Sequence, residues 1–470
     1  MLDDFSTKVL DNLNSSFELK KPVNANLIDG YILSIDNSTI QQDSYLETFL
    51  PSLNQILLDE KYYDIDTDNI LIQLLSAILS FLQFKDILTF YPKEFILQNL
   101  FSNQSSTVVT ILCLKIIILN IHQDETLSFL QDNDIIHKLL EVYFIESTPI
   151  SVLNQIELLI SSLNDKEIHL LDSSESIFQK IRHSGNTILV ARYLDLLLLV
   201  LPKLKNVSPH LYSFTREDFV KFDDDPLFLI LLIQFYEKLV QQEIKALELE
   251  FVLNDILSSF DNFDSLVKSE VVNLVARLSY HSYDELLNTH QIFKTHNLIQ
   301  VFEKNDTEIK LLSRSNPQVI YQLNNSIYND VLAHLNLFTN NAYFPILLNF
   351  LQSTTTFFQL KLQLNNERLS KLPMDKLFSL LLEMAKHEHT KEHLFNNLPS
   401  ILSSNLLESD IRNSDLWNLK LRILENLLED KTVPGFPYWQ DQLQKNYDIM
   451  RFGQSFKNIK PKVDILDETG

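Results

Sequence analysis

In HEHTKEH, residues 387–393, three histidines and two glutamates share seven positions. Such a density of imidazole and carboxylate is the raw material of a metal site. A zinc-protease helix needs His-Glu-x-x-His, so that both imidazoles face one way and the glutamate serves as base. Here the place of the second histidine is taken by Lys391. His389 and His393 stand four apart and would share a face if one helix ran through both. Thr390, however, reads as an N-cap and residues 391–395 as a new helix, which leaves His387 and His389 in the corner before it. The nearby carboxylates are Glu383, Glu388 and Glu392, and no cysteine is close. The stretch is expected to be a corner between two packed helices that holds no metal.

Other reactive-looking clusters reduce in the same way. In RHSGN (182–186) a histidine adjoins a serine, but adjacent residues point in different directions and no acid is placed to orient the imidazole. The acids of DDDP (223–226) suit the N-terminus of a helix opening at Pro226. A calcium loop needs more oxygen ligands and a glycine. DEKYYDIDTDN (59–69) reads as a solvated, acidic loop, or as a docking surface built from two tyrosines among acids. Nucleotide chemistry on a glycine-rich loop is excluded, because the glycines are Gly30, Gly185, Gly435, Gly453 and Gly470, too far apart for either phosphate-binding motif. No catalytic residue, metal ligand or cofactor-binding residue is assigned, and the expectation is a protein that is not an enzyme and uses no cofactor.

The elements around these clusters follow from composition. Five glycines in 470 residues are several-fold fewer than the usual share of about 7%, which disfavours tight hairpins and a β-rich fold. Apolar residues recur at three-to-four spacing over 68–84, 149–163, 265–280 and 374–386, the mark of amphipathic helices. Pro92, Pro149, Pro202, Pro226, Pro317, Pro345 and Pro373 punctuate the breaks and read as helix starts, where a missing N–H costs little.

A phrase also returns. FLQDNDIIHKLLEVY from Phe129, IFKTHNLIQVFEK from Ile292 and LFNNLPSILSSNLL from Leu394 each place an apolar pair, a polar turn and a second apolar pair. One helix ends on the core, the chain turns, and the next helix points back into the same core. Armadillo and HEAT repeats look like this, with periods of about 40 to 47 residues. The expected fold is all-α: a curved α-solenoid of armadillo/HEAT-like repeats, about ten or eleven of them at that period. A single solenoid over 1–453 is expected, with 22–45 a loosely ordered loop region and 454–470 a flexible C-terminal tail.

Charge bounds the partners. Lys and Arg total 39 against 62 Asp and Glu, a formal net charge of −23. That field repels phosphate backbones, so direct nucleic-acid binding is not expected. The lone Cys113 sits in an apolar helix and reads as a buried thiol. The N-terminus lacks the basic-then-apolar order of a signal peptide, and no apolar run reaches the roughly 18 residues of a membrane span. A cytoplasmic protein, possible also in the nucleus, is expected, with no membrane partner and monomeric when unbound.

Three segments carry a more specific likeness. They are ARYLDLLLLVLPKLKNVSPHLYSFTREDFVKFDDDPLFLILLIQFYEKLV (191–240), LSKLPMDKLFSLLLEMAKHEHTKEHLFNNLPSIL (369–402) and LWNLKLRILENLLEDKTVPGFPYWQ (416–440). In order and spacing they resemble the fungal armadillo/HEAT-repeat chaperone family that assists assembly of the base of the proteasome regulatory particle, a family also associated with DNA mismatch repair. The resemblance implies binding to the C-terminal domain of one base ATPase subunit, help in pairing it with its neighbour, and departure before the complete particle forms. It carries no catalytic motif to transfer. The expected contacts are polar or aromatic positions on the second helix of each pair, along the concave surface: Asp195, Gln234, Tyr236, Glu237, Arg277 and Tyr280. The alternatives are another solenoid adaptor, such as a transport receptor or vesicle-tethering scaffold, and a mismatch-repair factor acting indirectly.

Overall fold

A computed structural model describes residues 2–41, 44–102, 105–164, 167–204, 207–244, 247–293, 306–409, 411 and 413–453. Among them every regular element is a helix, and no strand occurs. The 454–470 tail, and most of the repeat phrase that begins at Ile292, lie outside the described residues. The chain divides into two compact units, Met1–Phe214 with Gln242–Glu248, and Thr215–Gln241 with Leu249–Gly470.

The longer helices of the first unit are α1 (Asp4–Leu19), α2 (Ala25–Ile32), α3 (Tyr45–Leu57), α4 (Leu71–Leu79), α5 (Lys93–Phe101) and α6 (Thr107–Leu119). After them come α7 (Asp124–Asp132), α8 (Ile135–Tyr143), α9 (Ile150–Ser162), α10 (Glu175–Arg182) and α11 (Thr187–Val200). One layer stacks in series, α3 on α4, α4 on α6, α6 on α9 and α9 on α11, while α5, α8 and α10 cover it from the other side. The buried positions show why. Val109, Cys113, Ile116 and Ile117 of α6 recur 43 residues later as Val152, Ile156, Leu159 and Ile160. Leu153, Ile156, Leu159 and Ile160 recur after 37 as Val190, Tyr193, Leu196 and Leu197. Each stacked helix presents the same positions to its neighbours, so one apolar pattern, repeated, builds a continuous core. In α6 the burial pushes the Cys113 thiol up to about 12, as an inert core thiol requires.

The second unit holds α12 (Pro226–Gln242, up to its last residue), α13 (Glu250–Ser258), α14 (Ser265–Leu278), α15 (Asp306–Arg314) and α16 (Phe344–Phe350). It continues with α17 (Met374–Met384), α18 (Glu388–Asn397), α19 (Ser414–Glu429) and α20 (Phe436–Phe452). Here α14 packs on α15, α15 on α16, α17 on α19 and α19 on α20. Leu232, Ile233, Phe235, Tyr236 and Leu239 of α12 recur 39 residues on as Val271, Val272, Leu274, Val275 and Leu278 of α14, all buried. Within each unit the helices therefore form the helical-repeat stack of an α-solenoid.

Polar side chains lock the same register. Bonds between helices fall about one repeat apart: Asn186 to Glu146, Lys203 to the Leu163 carbonyl, Lys310 to Ser269 and Phe84 N to Gln123 span 40, 40, 41 and 39 residues. Arg192 donates from Nη1 to the Tyr143 and Ile145 carbonyls (3.1 and 2.8 Å) and from Nη2 to that of Glu146 (3.1 Å). It thereby caps the negative end of α8 with a cation from the next repeat.

Two local expectations need correction. Residues 22–45 are not a loose loop throughout, since α2 and a short helix at Asn37–Ile40 lie there, each opened by an Asn or Asp side-chain cap. In the acidic stretch 59–69, Asp66 is 1% exposed rather than solvated. It accepts hydrogen bonds from the Tyr62 hydroxyl (2.6 Å), Ile70 N (2.9 Å) and Leu71 N (3.0 Å), which pins the start of α4.

Candidate protein-binding surface

The 39-residue register decides which side chains of α12 and α14 are left over once the core is filled. With Leu232, Ile233, Phe235, Tyr236 and Leu239 turned inward, Gln234, Glu237 and Lys238 remain on the outer arc of α12. The corresponding arc of α14 carries Asn273 and Arg277, followed by Tyr280 just past its end. Stacking brings these together with the last turn of α15 and with Gln352, two residues past the end of α16. Glu237, Asn273, Arg277, Tyr280, Arg314 and Gln352 line one open recess of about 410 Å³.

Its internal bonding is sparse. Arg277 Nε lies 3.6 Å from Glu237 Oε1, close enough for charge attraction but beyond a hydrogen bond. That Nε is itself shielded from solvent and has no hydrogen-bond partner among the described residues. Arg314 donates from Nη1 to the Asn273 amide oxygen, and Asn273 donates in turn to Glu270 Oε2 at 2.9 Å. The Tyr280 hydroxyl donates to Gln352 Oε1 at 2.9 Å, 72 residues away, so it ties together helices two repeats apart. Burial raises the Tyr280 phenol above its ordinary value, and the negative charge of Glu383 adds to the effect. At Glu383 burial pushes upward, but hydrogen bonds from His387 (3.2 Å) and Lys386 (2.5 Å) outweigh it and hold the carboxyl below its usual range.

Of the six positions singled out in the sequence, Glu237, Arg277 and Tyr280 meet at this recess. Gln234 is half-buried on α12, one turn earlier, and is not among the residues lining it. Asp195 belongs to the first unit, exposed on α11; burial and the hydrogen bond to Glu157 raise the Tyr143 phenol, and the Asp195 charge adds a smaller push. Tyr236 departs from the expectation. It is 0% exposed, its ring set edge-on to Phe235 at 5.2 Å, so it fills the core and presents nothing to a partner. Asn273, Arg314 and Gln352 went unnoticed in the sequence, although Asn273 lies one 39-residue step beyond Gln234 and Arg314 lies 41 beyond Asn273.

The histidine cluster takes its place in the same unit. Helix α18 begins at Glu388, with His387 as N-cap, so His389 and Thr390 are inside the helix and not in the corner before it. Thr390 Oγ1 donates back to the Met384 and His387 carbonyls (2.6 and 2.9 Å). His389 and His393 do share one helix, yet their Nε2 atoms reach different carbonyls, Leu351 at 2.9 Å and Leu364 at 2.9 Å. Because a carbonyl only accepts, both imidazoles carry the proton on Nε2. Burial lowers both below the ordinary imidazole value. Among the described residues no group of three His, Cys, Asp or Glu side chains is placed to hold a metal ion.

The chain was compared with known proteins. Residues 7–241 match the family described as DNA mismatch repair protein HSM3, N terminal domain, and residues 238–470 match its C terminal domain. Similar proteins, each described as DNA mismatch repair protein HSM3, come from Candida albicans (59% identical, covering 100% of both chains), Scheffersomyces stipitis (38%, covering 100% of this chain and 98% of that one) and Debaryomyces hansenii (30%, 100% and 99%). The junction of the two matched domains falls at the C-terminal end of α12, whereas the compact units part at Phe214 and Thr215. With both domains matched over nearly its whole length, the chain belongs to the HSM3 family.

Proposed function

We propose that this protein is a non-enzymatic chaperone for assembly of the base of the proteasome regulatory particle. In this reading it binds the C-terminal domain of one ATPase subunit along the concave side of its helical stack and leaves before the particle is complete. The observation that supports it most is the polar recess, where side chains from successive repeats share one opening and Arg277 Nε has no hydrogen-bond partner among the described residues. A surface of this kind suits a protein partner held by several separate contacts. Exposed ion pairs contribute at most about 1 kcal/mol each, so grip comes from their number together with the apolar contacts around them. Release then needs only a competing assembly surface that binds the same ATPase domain better, with no nucleotide hydrolysis by the chaperone.

Affinity purification of the tagged chain from its own cells tests this. Recovery of base ATPase subunits without mature proteasomes is the expected result. Recovery of neither, or of a small GTPase or membrane-tethering complex instead, would turn the assignment toward a transport or tethering adaptor.

The name shared by the similar proteins favours a second reading, a part in DNA mismatch repair. The formal charge of −23 supports an indirect part, through a protein partner, because a duplex offers only like charge. A gel shift on mismatched duplex DNA at low salt separates the two: no shift is expected, and a salt-sensitive shift would favour direct binding.

A further inference from the structure

We propose that the recess between α12, α14 and α15 is a carboxylate-binding site, and that its occupant is a segment of the partner protein that presents one Asp or Glu side chain. The inference deepens the chaperone reading and rests on it for the identity of the partner, but the chemistry of the recess stands on its own observations.

Two guanidinium groups, Arg277 and Arg314, face one opening of about 410 Å³ from adjacent repeats. Glu237 is the one carboxylate among the described residues lining it, so on the lining itself guanidinium outnumbers carboxylate, inside a chain of formal charge −23. The Glu237 carboxylate does not satisfy Arg277, because the 3.6 Å approach to Nε is too long for a hydrogen bond and leaves that shielded N–H without an acceptor. Arg314 makes its hydrogen bond to a neutral amide oxygen, that of Asn273, and has no ion pair among the described residues.

An arginine offers five N–H donors in a planar fork, a shape that a carboxylate matches with two parallel bonds. The Arg277 side chain is 39% exposed, so a partner Asp or Glu entering the recess would meet the outer Nη donors of its fork rather than the shielded Nε. The Tyr280 hydroxyl, already committed to Gln352 at 2.9 Å, forms a fixed polar wall beside it. A phosphate backbone fits less well. Glu237 lies within the recess, and Glu270 is hydrogen-bonded to Asn273 on its lining, so a chain of phosphates would meet carboxylates on either side of the first contact. A single carboxylate on a protein segment avoids that repulsion.

The test uses the full chain labelled with 15N-arginine. The Nε–Hε resonances of Arg277 and Arg314, assigned by R277Q and R314Q, are followed by NMR during titration with acetyl-Gly-Glu-Gly amide, which carries one carboxylate. Acetyl-Gly-Gln-Gly amide is the control. A saturable shift at Arg277 with the glutamate peptide, absent with glutamine and weakened at least tenfold in affinity by R314Q, is expected. No shift, or the same shift with both peptides, overturns the proposal whichever protein the chain binds. In a second arm the R277Q/R314Q pair is expected to weaken binding to the C-terminal domain of a base ATPase at least tenfold. The exposed Lys238, which is not among the lining residues, serves as control: K238Q should change binding less than twofold. Equal binding by wild type and the arginine pair would overturn the proposal. If the wild type binds no ATPase domain, the chaperone reading fails instead, and the NMR titration still decides whether the recess takes a carboxylate.

Discussion

Single buried groups carry much of the specificity of these repeats. At Asp66, one tyrosine hydroxyl and two backbone N–H groups converge on a 1%-exposed carboxylate. Asp66→Ala would leave three donors without an acceptor, so a loss of about 3 kcal/mol is expected, read as a shift in the urea midpoint. A change under about 0.5 kcal/mol, the range of ordinary surface substitutions, would contradict that role. His389 and His393 give the chain a pH dependence of known sign. Burial depresses both in the folded state, so as pH falls below about 6.5, the unfolded imidazole value, the unfolded chain takes up protons first and stability declines. The decline should level off once pH is below the folded values. Glu383, held below its usual range, adds a separate loss at more acidic pH. Thermal melts from pH 7.5 to 5.0 should show the first decline, and a His389→Gln/His393→Gln variant should show a flatter profile. The histidines were conspicuous in the sequence as a cluster, but their separate carbonyl partners were not legible. Leu351 and Leu364 lie 38 and 29 residues away, and only the stacking of repeats brings them near. Tyr236 shows the opposite failing, since its hydroxyl suggests a surface while its place in the 39-residue pattern buries it.

Helices and their ends were easier to read. Pro226 opens α12 as expected, with Asp225 accepting from Phe228 N at 3.0 Å. The turn predicted within FLQDNDIIHKLLEVY is made by Asp134 at φ 49°, between α7 and α8, a left-handed position that Asp tolerates. What the sequence concealed were the caps supplied by neighbours. Lys203 reaches the Ile160, Ser161 and Leu163 carbonyls at the end of α9, and Arg192 does the same for α8. No local pattern marks a cation whose acceptors are about forty residues earlier. Arg192→Met keeps the apolar stem and removes the charged donors. It should lower stability by about 2 kcal/mol, measured by denaturant titration, with an unchanged circular dichroism spectrum. At the start of α20, Gly435 has φ +90°, and an added Cβ would meet the Asn396 amide and lie 2.9 Å from Phe395 Cβ. Gly435→Ala should therefore loosen α20 from α18. Faster amide exchange along 436–452 is the expected sign, and wild-type protection would refute the constraint.

The whole chain combines a repeated apolar core with strong negative charge and, in its second unit, a recess lined by two arginines. The repeat architecture was legible because every stacked helix must bury the same face, which stamps a period near 40 on the apolar residues. The recess was only partly legible. Its arginines look like ordinary surface cations until Arg277 and Arg314, 37 positions apart, are brought to one opening. Binding to a proteasomal ATPase is the central functional claim, and titration calorimetry tests it most directly. The purified full chain is titrated with the isolated C-terminal domain of each base ATPase subunit, without nucleotide. Saturable one-to-one binding of one domain, at least tenfold tighter than the others, is the predicted result. Heats no larger than dilution for every domain would contradict it.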